Sequence, residues 1–218
     1  MKILGIDLAA NYSSIALQED DEINCFTQMH NVRERPSWDD LFAGIGIAVP
    51  NDFSSLDAIA FANGPGSYTA LRNVSTFLKP IAFVHKLPLI PISSLKAFAM
   101  ASYDFMEDPS KNLFIAVDAQ KGSYYFAGYT FQDGIPTSIE GEQVLDQASL
   151  ITKLNGGYYA GTPWKEFASK IELLSHATPN ASSVCKLASL VDFKNNVFDP
   201  ADANPIYLEP LTFKKINE

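Results

Sequence analysis

The chain has 218 residues, with 16 Lys and Arg against 25 Asp and Glu, and a formal charge of −9 at pH 7. Its 47% hydrophobic and 19% charged residues describe a globular sequence, long enough for one domain or two small lobes and not disordered. The acidic balance, with no run of Lys or Arg, argues against an autonomous nucleic-acid binder, which needs a basic face to neutralise phosphates.

Lys2 to Leu8 is an apolar, β-rich run and predicts a strand buried on both faces. One Lys and a short apolar run broken by Asp7 do not make a signal peptide. No apolar stretch reaches the ~20 residues of a membrane helix, so a cytoplasmic protein is expected. Ser13–Gln18 and Ile23–Met29 read as two more strands around the acidic turn Glu19-Asp20-Asp21-Glu22. A helix over 37–49 follows, with Trp38, Leu41, Phe42, Ile45 and Val49 on one face and Gly44 and Gly46 weakening it.

Leu56–Ala62 is a strand that ends in Asn63-Gly64-Pro65-Gly66-Ser67. A long helical pattern spans 69–86, and Pro80 predicts a kink near Thr76 to Pro80. A short strand (Leu87–Ile92) and a helix (Ser94–Tyr103) complete the first half. Glu107-Asp108-Pro109-Ser110-Lys111 breaks the pattern and marks a lobe boundary, giving lobes 1–106 and 107–218.

The pattern then restarts. Strands are expected at Asn112–Asp118, Tyr124–Phe131, Thr137–Val144 and Tyr158–Ala160, with helices at Gln147–Leu154, Trp164–Ile171 and Ser182–Asp192. Strand, Asp, strand, turn, strand and helix thus occur twice, with Asp7 and Asp118 in matching places. A duplication of two α/β lobes is the economical reading.

Asp7 and Asp118 each end an apolar strand before a tight hairpin. Two facing lobes would aim both carboxylates into one cleft, able to hold Mg2+ and nucleotide phosphates. The plainer reading is a strand-end Asp bonded to its own turn. The loop after Asp7, which holds Asn11, has no glycine; the loop after Asp118 has Gly122. Gly64, Gly66 and Ser67 form a strand-to-helix turn that either simply reverses the chain or offers free N–H groups to an anion. His30, His85 and His176 show no metal-ligand spacing, and no GxSxG elbow occurs. Cys25 and Cys185 form no CxxC pair and read as two small buried thiols in a reducing compartment. No catalytic residue stands out.

The segment FANGPGSYTALRNVSTFLKPIAFVHKLPLIPISSL resembles the strand, GPGS(F/Y)TGLR helix and (I/V)-S-S-L of the TsaB family, also called YeaZ. ILGIDLA, AVDAQKGSYYFAGY, GYYAGTPW and PIYLEP are also similar and stand in family order. The chain departs at Ala70, Asn73, Val74, Thr76 and Pro80, where the family favours small residues, at 33–38 in the first helix, and at Glu209.

The resemblance implies an α/β fold: two actin-like (sugar kinase/Hsp70/actin, ribonuclease H-like) lobes, each a copy of one mixed sheet with flanking helices. The extreme C-terminus would pack back on the first lobe. It implies a non-catalytic accessory subunit of the complex that makes threonylcarbamoyladenosine on tRNAs reading ANN codons. Such a subunit pairs with the catalytic paralogue TsaD, supports recruitment of the ATPase TsaE, and meets tRNA only indirectly. Trp38, Leu41, Phe42, Ile45, Leu71, Val74, Leu78 and Ile81 are the expected interface; without the paralogue, the same surface would make a homodimer. No cofactor or metal is required, although weak ATP or ADP with Mg2+ at the cleft or at a complex interface fits the fold. The alternative is a small-molecule kinase or ATPase using Asp7 and Asp118 around Mg2+.

Overall fold

The computed structural model describes residues 1–8, 12–30, 36–47 and 53–208. The first sheet contains β1 (Lys2–Asp7), β2 (Tyr12–Glu19), β3 (Glu22–Met29), β4 (Ala58–Ala62) and β5 (Leu89–Ile92). Its order is β3-β2-β1-β4-β5. β2 is antiparallel to both neighbours, whereas β1, β4 and β5 run parallel. Helices α1 (Trp38–Gly44), α2 (Tyr68–His85) and α3 (Ser94–Ser102) connect and follow these strands.

The second sheet repeats the plan. It contains β6 (Leu113–Asp118), β7 (Tyr124–Gln132), β8 (Ile135–Leu145), β9 (Tyr158–Ala160) and β10 (Glu172–Leu173), in the order β10-β9-β6-β7-β8. Again only the second strand, β7, runs against its neighbours. Helix α4 (Gln147–Ile151) flanks it, a 3-10 turn spans Thr162–Phe167, and α5 (Ala181–Ser189) follows in the chain. Two mixed sheets of one topology are the duplicated actin-like architecture that the sequence suggests.

The last helices of the two halves are exchanged. Leu95, Phe98 and Ala99 of α3 pack with Leu113, Ile115 and Ala127 of the second sheet. Val184, Cys185 and Ala188 of α5 pack with Ile3, Ala16 and Ala60 of the first. Gly5 permits this approach: a Cβ there would stand 2.5 Å from Cys185 Sγ and 2.8 Å from the Ala181 carbonyl oxygen. Cys185 is fully buried, and desolvation pushes its thiol up to about 12. Cys25, expected to be buried as well, is exposed on β3, the edge strand of the sheet.

Local chemistry sets the helix ends. Ser37 and Asp40 form a reciprocal capping box at the start of α1. The helix expected over 37–49 stops at Gly44, because Gly46 takes φ +76° and its N–H bonds to the Ala43 carbonyl at 3.0 Å. The Ile47 N–H bonds to the Phe42 carbonyl at 2.9 Å, completing a Schellman ending. Residues 48–50, including Val49, lie outside the described residues.

Helix α2 runs through Pro80 without a break. Pro80 and Thr76, whose carbonyl loses its partner, are both exposed, so water can satisfy that oxygen. The helix expected at 164–171 is instead the 3-10 turn ending at Phe167, and the two-residue β10 was not anticipated. Among the described residues no helix is long and apolar enough to cross a membrane.

Candidate functional site

A cleft of about 620 Å3 opens where the carboxyl ends of both sheets meet. Its walls include Gly66, Ser67 and Thr69 around the start of α2, Asp118 at the end of β6 with Gln120 beyond it, and Thr162 and Lys165 after β9. Crevices at the carboxyl ends of strands are the usual ligand sites of α/β sheets, and this volume is that of a small-molecule site.

The two matching aspartates have separate fates. Asp118 is exposed in the cleft. Asp7 is wholly buried, and the Tyr12 hydroxyl donates to its Oδ2 at 3.0 Å. Tyr12, not Asp7, lines the cleft. The expectation that both carboxylates face one cleft is therefore corrected: packing of Tyr12 at the start of β2 covers the first of them. Burial, with the Asp7 charge beside it, pushes the Tyr12 hydroxyl well above the usual tyrosine range.

The Gly64–Ser67 turn divides likewise. Gly66 and Ser67 line the cleft, and the Ser67 side chain makes no capping bond to α2. Gly64 is buried behind them at φ +119°, with no room for a Cβ because the Ile206 carbonyl oxygen would be 2.5 Å away. Its backbone serves the fold. Asn11 lies outside the described residues.

Sequence reading missed Lys165, Thr162 and Tyr125 in the cleft wall. Gly161-Thr162 stood within a recognised segment. Lys165 follows in a stretch read as an ordinary helix, so nothing marked its side chain. Among the described residues no group of three His, Cys, Asp or Glu gathers at metal-binding distance.

The α1–α2 surface also differs from expectation. Leu41, Phe42, Ile45, Leu71, Val74 and Leu78 are between 0% and 4% exposed. All but Leu71 sit in one core with Leu4, Ile6, Ile15 and Phe61 of the first sheet. The expected interface is thus not on this face: the apolar stripe packs on the chain's own sheet and is spent there. Trp38 and Ile81 are half-buried at the margin, and Trp38 stacks on Phe77 with centroids 3.9 Å apart. The outward face of α2 carries Thr69, Arg72, Asn73, Thr76 and Pro80 and ends in Phe83 and Val84, which are 75% and 72% exposed.

Residues 27–200 match the family model described as TsaD, tRNA N6-adenosine threonylcarbamoyltransferase. A Haemophilus influenzae protein named tRNA threonylcarbamoyladenosine biosynthesis protein TsaB is 29% identical over 99% of this chain and 97% of its own. The Bacillus subtilis protein of the same name is 30% identical over 71% of this chain and 66% of its own. YeaZ from Pseudomonas aeruginosa superposes with a TM-score of 0.77 at 24% identity, covering 95% of this chain and 99% of that one. The chain belongs to the family that the TsaD model describes and, within it, to the TsaB, or YeaZ, group.

Proposed function

We propose that this protein is a cytoplasmic, non-catalytic subunit of the assembly that makes threonylcarbamoyladenosine on tRNA. It docks a TsaD-type catalytic paralogue through the outward face of α2 and the adjoining edge of α1, and the pair recruits a TsaE-type ATPase. tRNA is held by the partners, in keeping with the net charge of −9. The observation that carries the reading is the exposure of Phe83 and Val84 beside Pro80 at the end of a helix whose inner face is already fully packed. Clustered exposed apolar side chains mark interaction surfaces, and family membership supplies the partner.

The burial of Asp7 beneath Tyr12 weighs against the kinase or ATPase alternative, which needs that carboxylate in the cleft. The test is reconstitution with the paralogue, the ATPase, tRNA, ATP and an activated threonylcarbamoyl donor. Modification is expected to require this chain and to survive Asp118→Asn. Loss of turnover with Asp118→Asn, in a subunit that still binds the paralogue, would place chemistry in this cleft and overturn the scaffold reading.

A further inference from the structure

The segment Ile92-Ser93-Ser94-Leu95 has no part in the function just derived, yet its two serines join the halves of the molecule. Ser93 is the N-cap of α3: its Oγ accepts the Lys96 N–H at 3.0 Å. The same hydroxyl donates to Oε1 of Glu142, on β8 of the second sheet. Ser94 faces the other way. Its Oγ accepts the Gly64 N–H at 3.1 Å, and its own N–H donates to the Gly64 carbonyl at 2.8 Å. Gly64 lies three residues before Ser67, the N-cap of α2. A continuous path of hydrogen bonds and backbone thus runs from Glu142, through Ser93 and Ser94, to the root of the outward-facing helix.

We propose that Glu142 is a positioning residue for partner docking, acting through the Ser93–Ser94 bridge to hold the first turn of α2 in register with the second lobe. The proposal rests on the docking reading above. Glu142 is half-buried beside Tyr129 of β7, which is 2% exposed. Desolvation raises the pKa of its carboxyl. Gln is the conservative replacement, because its amide oxygen can accept the same Ser93 hydroxyl. Leucine at that position fills the volume but offers no acceptor.

The experiment compares wild type, Glu142→Gln and Glu142→Leu by hydrogen exchange on the isolated chain and by titration with the TsaD-type paralogue. Glu142→Leu is expected to speed exchange across residues 64–72, leave the amides of β9 unchanged, and weaken docking by about threefold or more. Glu142→Gln is expected to restore both. Faster exchange with unchanged affinity would make the bridge merely structural and overturn the proposal, as would equal losses in both variants. A global rise in exchange with Glu142→Leu, unaccompanied by rescue in Glu142→Gln, overturns it too. If the wild-type chain does not bind the paralogue at all, the docking reading itself falls and takes this proposal with it.

Discussion

The Tyr12 hydroxyl donates to Oδ2 of Asp7 at 3.0 Å, in a site where the ring is 6% exposed and the carboxylate 0%. One hydroxyl thereby helps solvate a buried carboxylate and closes the cleft wall over it. Removing the donor takes one hydrogen bond from a carboxylate that is wholly buried. Tyr12→Phe is expected to destabilise the fold by about 1–3 kcal/mol, read by urea denaturation. The bond also imposes a pH dependence. The folded hydroxyl stays protonated above the ordinary tyrosine range, so above pH ~10 the folded state binds more protons than the unfolded. Stability contributed at lower pH is therefore lost as pH rises from ~10, and this fall should be shallower in Tyr12→Phe. Equal slopes would show that Tyr12 ionises as freely in the fold as in the unfolded chain.

Gly5 lies under α5 with no space for a side chain. Gly5→Ala should destabilise by about 1–3 kcal/mol, the usual penalty of overpacking. Adding Cys185→Ala removes the sulfur at 2.5 Å but not the Ala181 carbonyl at 2.8 Å. The double variant is thus expected to regain only part of the loss. Full recovery would mean that the backbone of α5 yields more readily than its packing implies.

Exchange of α3 and α5 ties the halves into one folding unit. A fragment of residues 1–106 lacks α5 and bares Ile3, Ala16, Ala58 and Ala60 on the first sheet. It should be unfolded or aggregated alone, and mixing with 107–218 should restore native-like circular dichroism. A monomeric, cooperatively melting 1–106 would contradict the exchanged packing.

Two substitutions on α2 separate core from surface. Leu78 is 0% exposed, so Leu78→Asp buries a charge and removes a core side chain; a loss of about 3–5 kcal/mol is expected. Phe83 is 75% exposed, so Phe83→Asp should change stability by no more than about 0.5 kcal/mol. Thermal melts of the two variants side by side check the assignment.

Much of this architecture is legible in the residues. Alternation and apolar runs locate nine of the ten strands among the described residues, and the repeated strand–Asp–hairpin pattern points to the duplication. The misses have physical causes. A helical stripe such as Leu71, Val74 and Leu78 says that one face is apolar but not whether a sheet of the same chain or a partner covers it. Gly46 ends α1 through its positive φ, which composition alone does not announce. Asp7 and Asp118 are equivalent in the sequence pattern, but Tyr12 covers only the first of them. The two-residue β10 is too short to have a period, and the helix exchange leaves no local trace in the sequence.

The most direct test of the docking account is a titration of the chain into its TsaD-type paralogue, with the mass of the complex read by light scattering. Wild type is expected to form a stable one-to-one complex, and Phe83→Asp, equally stable as a monomer, to bind at least about tenfold more weakly, as loss of an interface anchor does. A folded Phe83→Asp that binds as tightly as wild type would contradict the assignment of the partner to the outward face of α2.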